Sequence, residues 1–266
     1  MNPPRVLRHA TTLLALALAT GCASLPAGAP VADQIDPWES FNRKVYAFND
    51  AVDTALLVPV ATAYRDLLPE LVRTGIGNVL GNIRDVWSAA THLLQGKLQT
   101  GLEMGMRVAT NTVFGLGGLF DPATQAGLTR RPEDFGQTLG RWGVGNGPYL
   151  VLPLFGPSTL RDGVGFLVDG RATARLLPID DLERYAVYSL YFIDLRASLL
   201  STTQLLDTIA LDKYSFVRDA YLQRRRDAVY DGAPPMETFD DEPADAAPAA
   251  TPASKPASAP AQPAPK

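Results

Sequence analysis

The chain has 266 residues, 46% of them hydrophobic and 20% charged, with a formal net charge of −4. That is globular composition, long enough for one large domain or two small ones, and it excludes a fibrous or wholly low-complexity chain. A single cysteine excludes an internal disulfide, and the absence of a basic run argues against nucleic acid as a partner.

Arg5 and Arg8 form a basic start, and Thr11 to Ala19 form a short apolar run. That run falls short of the ~20 residues a membrane-spanning helix needs, so residues 1–21 read as a signal peptide. Leu-Ala-Thr-Gly directly before Cys22 resembles a bacterial lipobox, although Leu18 stands four places before the cysteine rather than three. Cys22 is therefore the expected site of lipid attachment, with residues 22–32 as a lipidated linker. Acyl chains contribute about 0.8 kcal/mol per buried CH₂, so two or three of them anchor stably. Ala23 in place of an aspartate resembles the sorting pattern for the outer membrane of a Gram-negative cell. Cleavage after residue 21 removes two arginines and makes the remaining chain more acidic.

Residues 33–236 read as one helical domain. Asp36-Pro37-Trp38-Glu39 suits a helix start, with Asp36 as cap and Glu39 completing a capping box. Trp38, Phe41, Val45, Phe48 and Val52 then repeat at helical spacing. Pro59 is expected to break this helix, leaving Val60 to Leu67 as a short second one. Leu71 to Leu94 and Lys97 to Phe114 form two further helices, separated at Gly96. Asp121-Pro122 marks a turn or cap. Pro132 begins a helix through Phe135 and Leu139.

Residues 140–165 read GRWGVGNGPYLVLPLFGPSTLRDGVG, with seven glycines and three prolines among apolar residues. Strand signals are scarce, since no alternating run finds a hairpin partner. Asp181 to Leu211 is the longest uninterrupted helical pattern, and Lys213 to Tyr230 is a final charged helix. Arg224, Arg225 and Arg226 are read as its solvated face. Residues 237–266 read as a disordered tail, acidic and then rich in Pro and Ala. Of 22 glycines, 18 lie between Gly75 and Gly165. Close backbone approach and bent helices are the physical uses of glycine there.

Catalytic chemistry is poorly supplied. His9 leaves with the signal peptide, and His92 stands alone on a helix. No His-rich zinc site, nucleophile elbow or phosphate loop is present, and no cofactor is implied. Asp121, Glu133, Asp134 and Asp162 remain as carboxylates near the glycine-rich loops, better suited to turns and helix starts than to catalysis.

Four segments carry a resemblance: DPWESFNRKVYAFND at 36–50, LLQGK at 93–97, NTVFGLGGLFDPAT at 111–124, and PEDFGQTLGRWGVGNGPYLVLPLFGPSTLRDGVG at 132–165. In this order they resemble the VacJ/MlaA family of phospholipid-binding outer-membrane lipoproteins. The resemblance implies an all-α, ring-like fold around an amphipathic channel. It implies a protein that removes misplaced phospholipids from the outer leaflet and passes them to a soluble periplasmic carrier. It also implies trimeric porins as partners. A porin-associated scaffold that moves no lipid is the alternative.

The expected channel or gate is the segment Gly143, Val144, Gly145, Gly147, Pro148, Tyr149, Leu150, Leu152, Pro153 and Phe155, with Tyr149 at a polar–apolar boundary. Arg141 and Arg161 are candidates for the lipid phosphate, or for loop-bracing salt bridges. Phe48 and Asn49 are a candidate second gate, or core and C-cap.

Overall fold

The computed structural model describes residues 35–176 and 179–235. The signal peptide, Cys22, the linker at 22–32 and the tail at 237–266 lie outside the described residues. Backbone contacts divide the chain into Met1–Pro234 and Pro235–Lys266, and every element below belongs to the first part.

Helix α1 spans Glu39–Val52. Asp36 does not cap it: Trp38 holds the N-cap position without a side-chain bond. Asp36 is instead buried, accepting from Asn42 Nδ2 at 2.8 Å and from the Tyr214 hydroxyl. Glu39 pairs with Arg43 one turn on, at 2.7 Å.

Pro59 does not break the chain either. A π-helical turn at Asp53–Leu57 carries α1 directly into α2, Val58–Leu67. Proline lacks an N–H and clashes with the carbonyl four residues back. A wider π turn just before it accommodates both problems without ending the helix.

Helices α3 (Glu70–Leu94) and α4 (Leu98–Val113) pack side by side. Gly96, at φ +76°, makes the turn between them. After α5 (Pro122–Gln125) and α6 (Phe135–Arg141) comes a two-stranded antiparallel hairpin, β1 (Tyr149–Leu152) and β2 (Gly156–Thr159). Helices α7 (Leu160–Leu176), α8 (Asp181–Ile209) and α9 (Lys213–Val229) complete the fold. The mainly helical class agrees with expectation; the hairpin corrects it. Tyr-Leu-Val-Leu does not alternate apolar with polar, and its partner Gly-Pro-Ser-Thr has no aromatic or branched aliphatic residue, so neither strand carries the usual pattern.

Side-chain polarity runs opposite to that of an ordinary soluble bundle. On α1 the buried residue is Asn42, while Phe41 and Phe48 are each 53% exposed. On α3, Asn82, Asp85, Ser88, Thr91 and His92 are buried beside Leu80, while Leu71, Leu93 and Leu94 face out. On α4, Arg107 and Asn111 are buried beside Met104, while Leu98, Leu102 and Val113 are exposed. Among the described residues, no helix is long and apolar enough to cross a membrane.

Candidate functional site

Helix α6 ends in a glycine turn. Gly143 has φ +91°, and Val144 N–H reaches back to the Leu139 carbonyl at 3.0 Å. The chain then enters β1. Tyr149, Leu150, Val151 and Leu152 face Thr159, Ser158, Pro157 and Gly156 in turn. The loop between the strands is Pro153-Leu154-Phe155, with Leu154 at φ +67°. Its residues are exposed, and Phe155 rests on the rings of Phe166 and Phe192.

Two asparagines two turns apart on α1 hold this hairpin. Asn42 accepts from Val151 N at 2.9 Å and donates to Tyr149 O at 3.1 Å. Asn49 accepts from Leu154 N at 2.7 Å and donates to Leu152 O at 2.9 Å. Asn49 is therefore a clamp on the hairpin turn, while its neighbour Phe48 stands out from α1.

Below the hairpin lies a charged cluster. Arg225 of α9 bridges Asp134, at 2.6 Å, and Asp162, at 2.8 Å. It is not part of a solvated face, because its side chain is only 13% exposed. Burial pushes both carboxyls up, but the Arg225 guanidinium outweighs this and holds them below the usual carboxylate range. Tyr221 donates to Asp162 as well, at 2.9 Å. Arg161 is buried and pairs with Asp162, Nε to Oδ1 at 2.9 Å, so it braces the loop.

Close packing here depends on glycine. A Cβ on Gly165 of α7 would lie 2.5 Å from Gly136 N of α6. Nearby Asp169 accepts from Trp87 Nε1 at 2.6 Å and from Phe135 N at 2.9 Å. Burial pushes its pKa up to about 6 against those two bonds. An apolar cavity of about 460 Å³ adjoins Trp87, walled by Val168, Ala172 and Leu176 with Arg171 and Arg175.

The other expected site residues scatter. Tyr149 is 1% exposed and packs edge-on against Tyr214 and Tyr221, so its side chain is core rather than a boundary. Pro148, Leu150 and Leu152 are half-buried, and Gly145 and Pro153 are exposed. Gly147 has φ +64° and sits against Leu160. Arg141 is exposed and has no ion pair among the described residues. The four loop carboxylates are all engaged. Asp121 caps α5 and meets Arg107 at 2.5 Å, Glu133 meets Lys97 at 3.0 Å, and Arg225 takes the other two. His92 lies 3.0 Å from the Arg131 carbonyl.

The model of the family described as MlaA lipoprotein matches residues 34–228. This chain belongs to the MlaA lipoprotein family. Its match to the Escherichia coli K12 intermembrane phospholipid transport system lipoprotein MlaA is 38% identical over 226 residues, covering 82% of this chain and 87% of the relative. The Haemophilus influenzae protein of the same name is 32% identical, with 84% and 90% covered. A solved structure on the structural basis for maintenance of bacterial outer membrane lipid asymmetry superposes with TM-score 0.65 at 37% identity. It covers 73% of this chain and 98% of that one.

Within this MlaA fold, the residues that sequence reasoning missed are Asn42, Arg225 and Asp169. Asn42 had a signal, since it lies seven places before Asn49 and off the apolar stripe of α1. The partners of Arg225 lie on distant segments, and nothing in their spacing announces them.

Proposed function

We propose that this lipoprotein carries phospholipid between membranes and so maintains the lipid asymmetry of an outer membrane. The observation that carries the reading is the reversed polarity of α1, α3 and α4. Phe41, Phe48, Leu71, Leu93 and Leu102 face outward, whereas Asn42, Asp85, Arg107 and Asn111 face inward beside buried Leu80 and Met104. Such helices suit apolar surroundings around a polar interior. A polar path lets a headgroup pass while acyl chains stay against apolar walls. Moving a lipid breaks no covalent bond, so the proposal asks for no catalytic group.

In this reading Cys22 holds the protein to the periplasmic face of the outer membrane. The channel admits phospholipids misplaced in the outer leaflet. A soluble periplasmic carrier receives them, and trimeric porins hold the protein in place. The apolar cavity beside Trp87, with Arg171 and Arg175 in its wall, supports the same chemistry. Extraction of the full chain in mild detergent tests the reading. Phospholipid is expected to co-purify with it. Porin retained without any phospholipid would overturn lipid transfer and favour the scaffold.

A further inference from the structure

A second cavity, of about 220 Å³, lies between α3, α4 and the turn that carries α5. Asn82, Asp85, Arg107, Asp121, Thr124 and Arg130 line it. It is smaller than the ~300–1,000 Å³ of sites that enclose a whole drug-sized ligand. Its two arginines and two aspartates cancel in charge.

Arg107 is fully engaged. It meets Asp85 at 3.4 Å, Asp121 at 2.5 Å, Thr124 Oγ1 at 2.7 Å and the Leu128 carbonyl at 2.8 Å. Arg130 is not. Its Nε pairs with Asp85 at 2.7 Å, but its two terminal nitrogens have no partner among the described residues. The guanidinium lies flat over Gly81: a Cβ there would be 2.7, 2.8 and 2.9 Å from Nη2, Nη1 and Cζ. Beside Gly81, Asn82 is 7% exposed. Its Nδ2 donates to Thr112 Oγ1 at 3.0 Å, but its buried Oδ1 has no partner. A buried acceptor without a donor is costly and calls for an explanation.

The cavity wall therefore holds the partly exposed donor fork of Arg130 and the buried, unfilled acceptor of Asn82, with no net charge. We propose that it binds a zwitterionic lipid headgroup, a phosphodiester bearing an ammonium. The phosphodiester meets the terminal nitrogens of Arg130, and an ammonium N–H fills Asn82 Oδ1. The acyl chains stay outside, because the cavity has no room for them. A headgroup with net negative charge is disfavoured, since Asp85 and Asp121 already use the buried cation. This inference rests on the lipid-transfer reading but names a preference which that reading lacks.

The test uses the full chain in mild detergent, titrated by calorimetry with glycerophosphoethanolamine, glycerophosphoglycerol and inorganic phosphate. The zwitterion is expected to bind about tenfold tighter than either anion. Arg130→Gln removes the fork, and Gly81→Ala displaces the flexible end of Arg130 without touching backbone. Each is expected to weaken the zwitterion about tenfold or more; Gly81→Ala, which leaves both cations of buried Asp85 in the chain, is expected to unfold close to wild type. No binding to wild type, equal binding of phosphate, or unchanged binding by both variants would overturn the site.

A second arm measures headgroups in the co-purified lipid. Phosphatidylethanolamine is expected to be enriched over phosphatidylglycerol in wild type and not in Gly81→Ala. Lipid carried with the same enrichment in both variants sinks the headgroup site and leaves transfer standing. Binding of glycerophosphoethanolamine by a wild type that carries no lipid sinks transfer and leaves the site.

Discussion

The side-chain amide of Asn42 occupies the outer edge of β1, with Val151 N 2.9 Å from its Oδ1. A two-stranded hairpin leaves an unpaired edge on each side. Here Asn42 and then Asn49 serve as short substitutes for a third strand. Pro157 fits the same logic. It stands opposite Val151, whose backbone N–H points to Asn42 rather than to β2, so the missing N–H of proline costs the ladder nothing. The hairpin is thus tied to α1 by polar bonds, and its tip at Leu154 and Phe155 stays apolar and exposed.

Asn42→Ala is expected to destabilise the protein by about 2–4 kcal/mol, because buried Val151 N and Tyr149 O lose their partner. Asn49→Ala is expected to cost about 1 kcal/mol, since water reaches the half-exposed turn. Denaturant unfolding of both variants in detergent measures the difference. Equal losses would refute the edge-strand role of Asn42.

Much of the helical framework is legible in the sequence, and the reasons are local. The 29-residue α8 has no Gly or Pro, and Gly96 marks the turn between α3 and α4 by backbone freedom alone. Features that depend on tertiary partners were not legible. Pro59 looked like a breaker because a π turn is rare and carries no signature. Tyr149 looked like a lining residue because its burial depends on Tyr214 and Tyr221 from α9. Arg225 looked solvated because Asp134 and Asp162 reach it only through the crossing of α6 and α7 at Gly136 and Gly165.

Arg225→Met is expected to cost about 3–5 kcal/mol at pH 7, because it leaves Asp162 buried with a weaker set of partners. The pH slope should also reverse. In wild type, Asp134 and Asp162 have lowered folded pKa values. Their stabilisation is present above the unfolded pKa of about 4 and is lost as pH falls below it. Without Arg225, burial raises both, so the variant should gain stability as pH falls from 7 to 5. Unfolding midpoints across that range decide the matter; a variant that parallels wild type would disprove the assignment.

Asp169 carries the opposite sign. Its folded pKa of about 6 exceeds the unfolded value of about 4, so folding favours the protonated form. The contribution is present below pH ~4 and is lost as pH rises through ~6. Asp169→Asn keeps an acceptor for Trp87 Nε1 and Phe135 N. It is expected to stabilise the protein at pH 7 by on the order of 1–3 kcal/mol and to flatten the slope between pH 4 and 6. A loss of stability at pH 7 would mean that the charge on Asp169 is needed.

Gly145 and Gly147 separate a folding defect from a transport defect. A Cβ on Gly145 meets nothing within 4 Å, and the residue is exposed. Gly147 has φ +64°, and a Cβ there comes within 3.1 Å of Leu160. Gly147→Trp should therefore lower the unfolding midpoint, since bulky residues are strained at positive φ. Gly145→Trp should unfold within about 0.5 kcal/mol of wild type. If this segment borders the lipid path, Gly145→Trp should still raise outer-leaflet phospholipid in cells, read by an outer-leaflet phospholipase. A Gly145→Trp protein that folds, reaches the membrane and leaves asymmetry unchanged would remove residues 143–155 from the path.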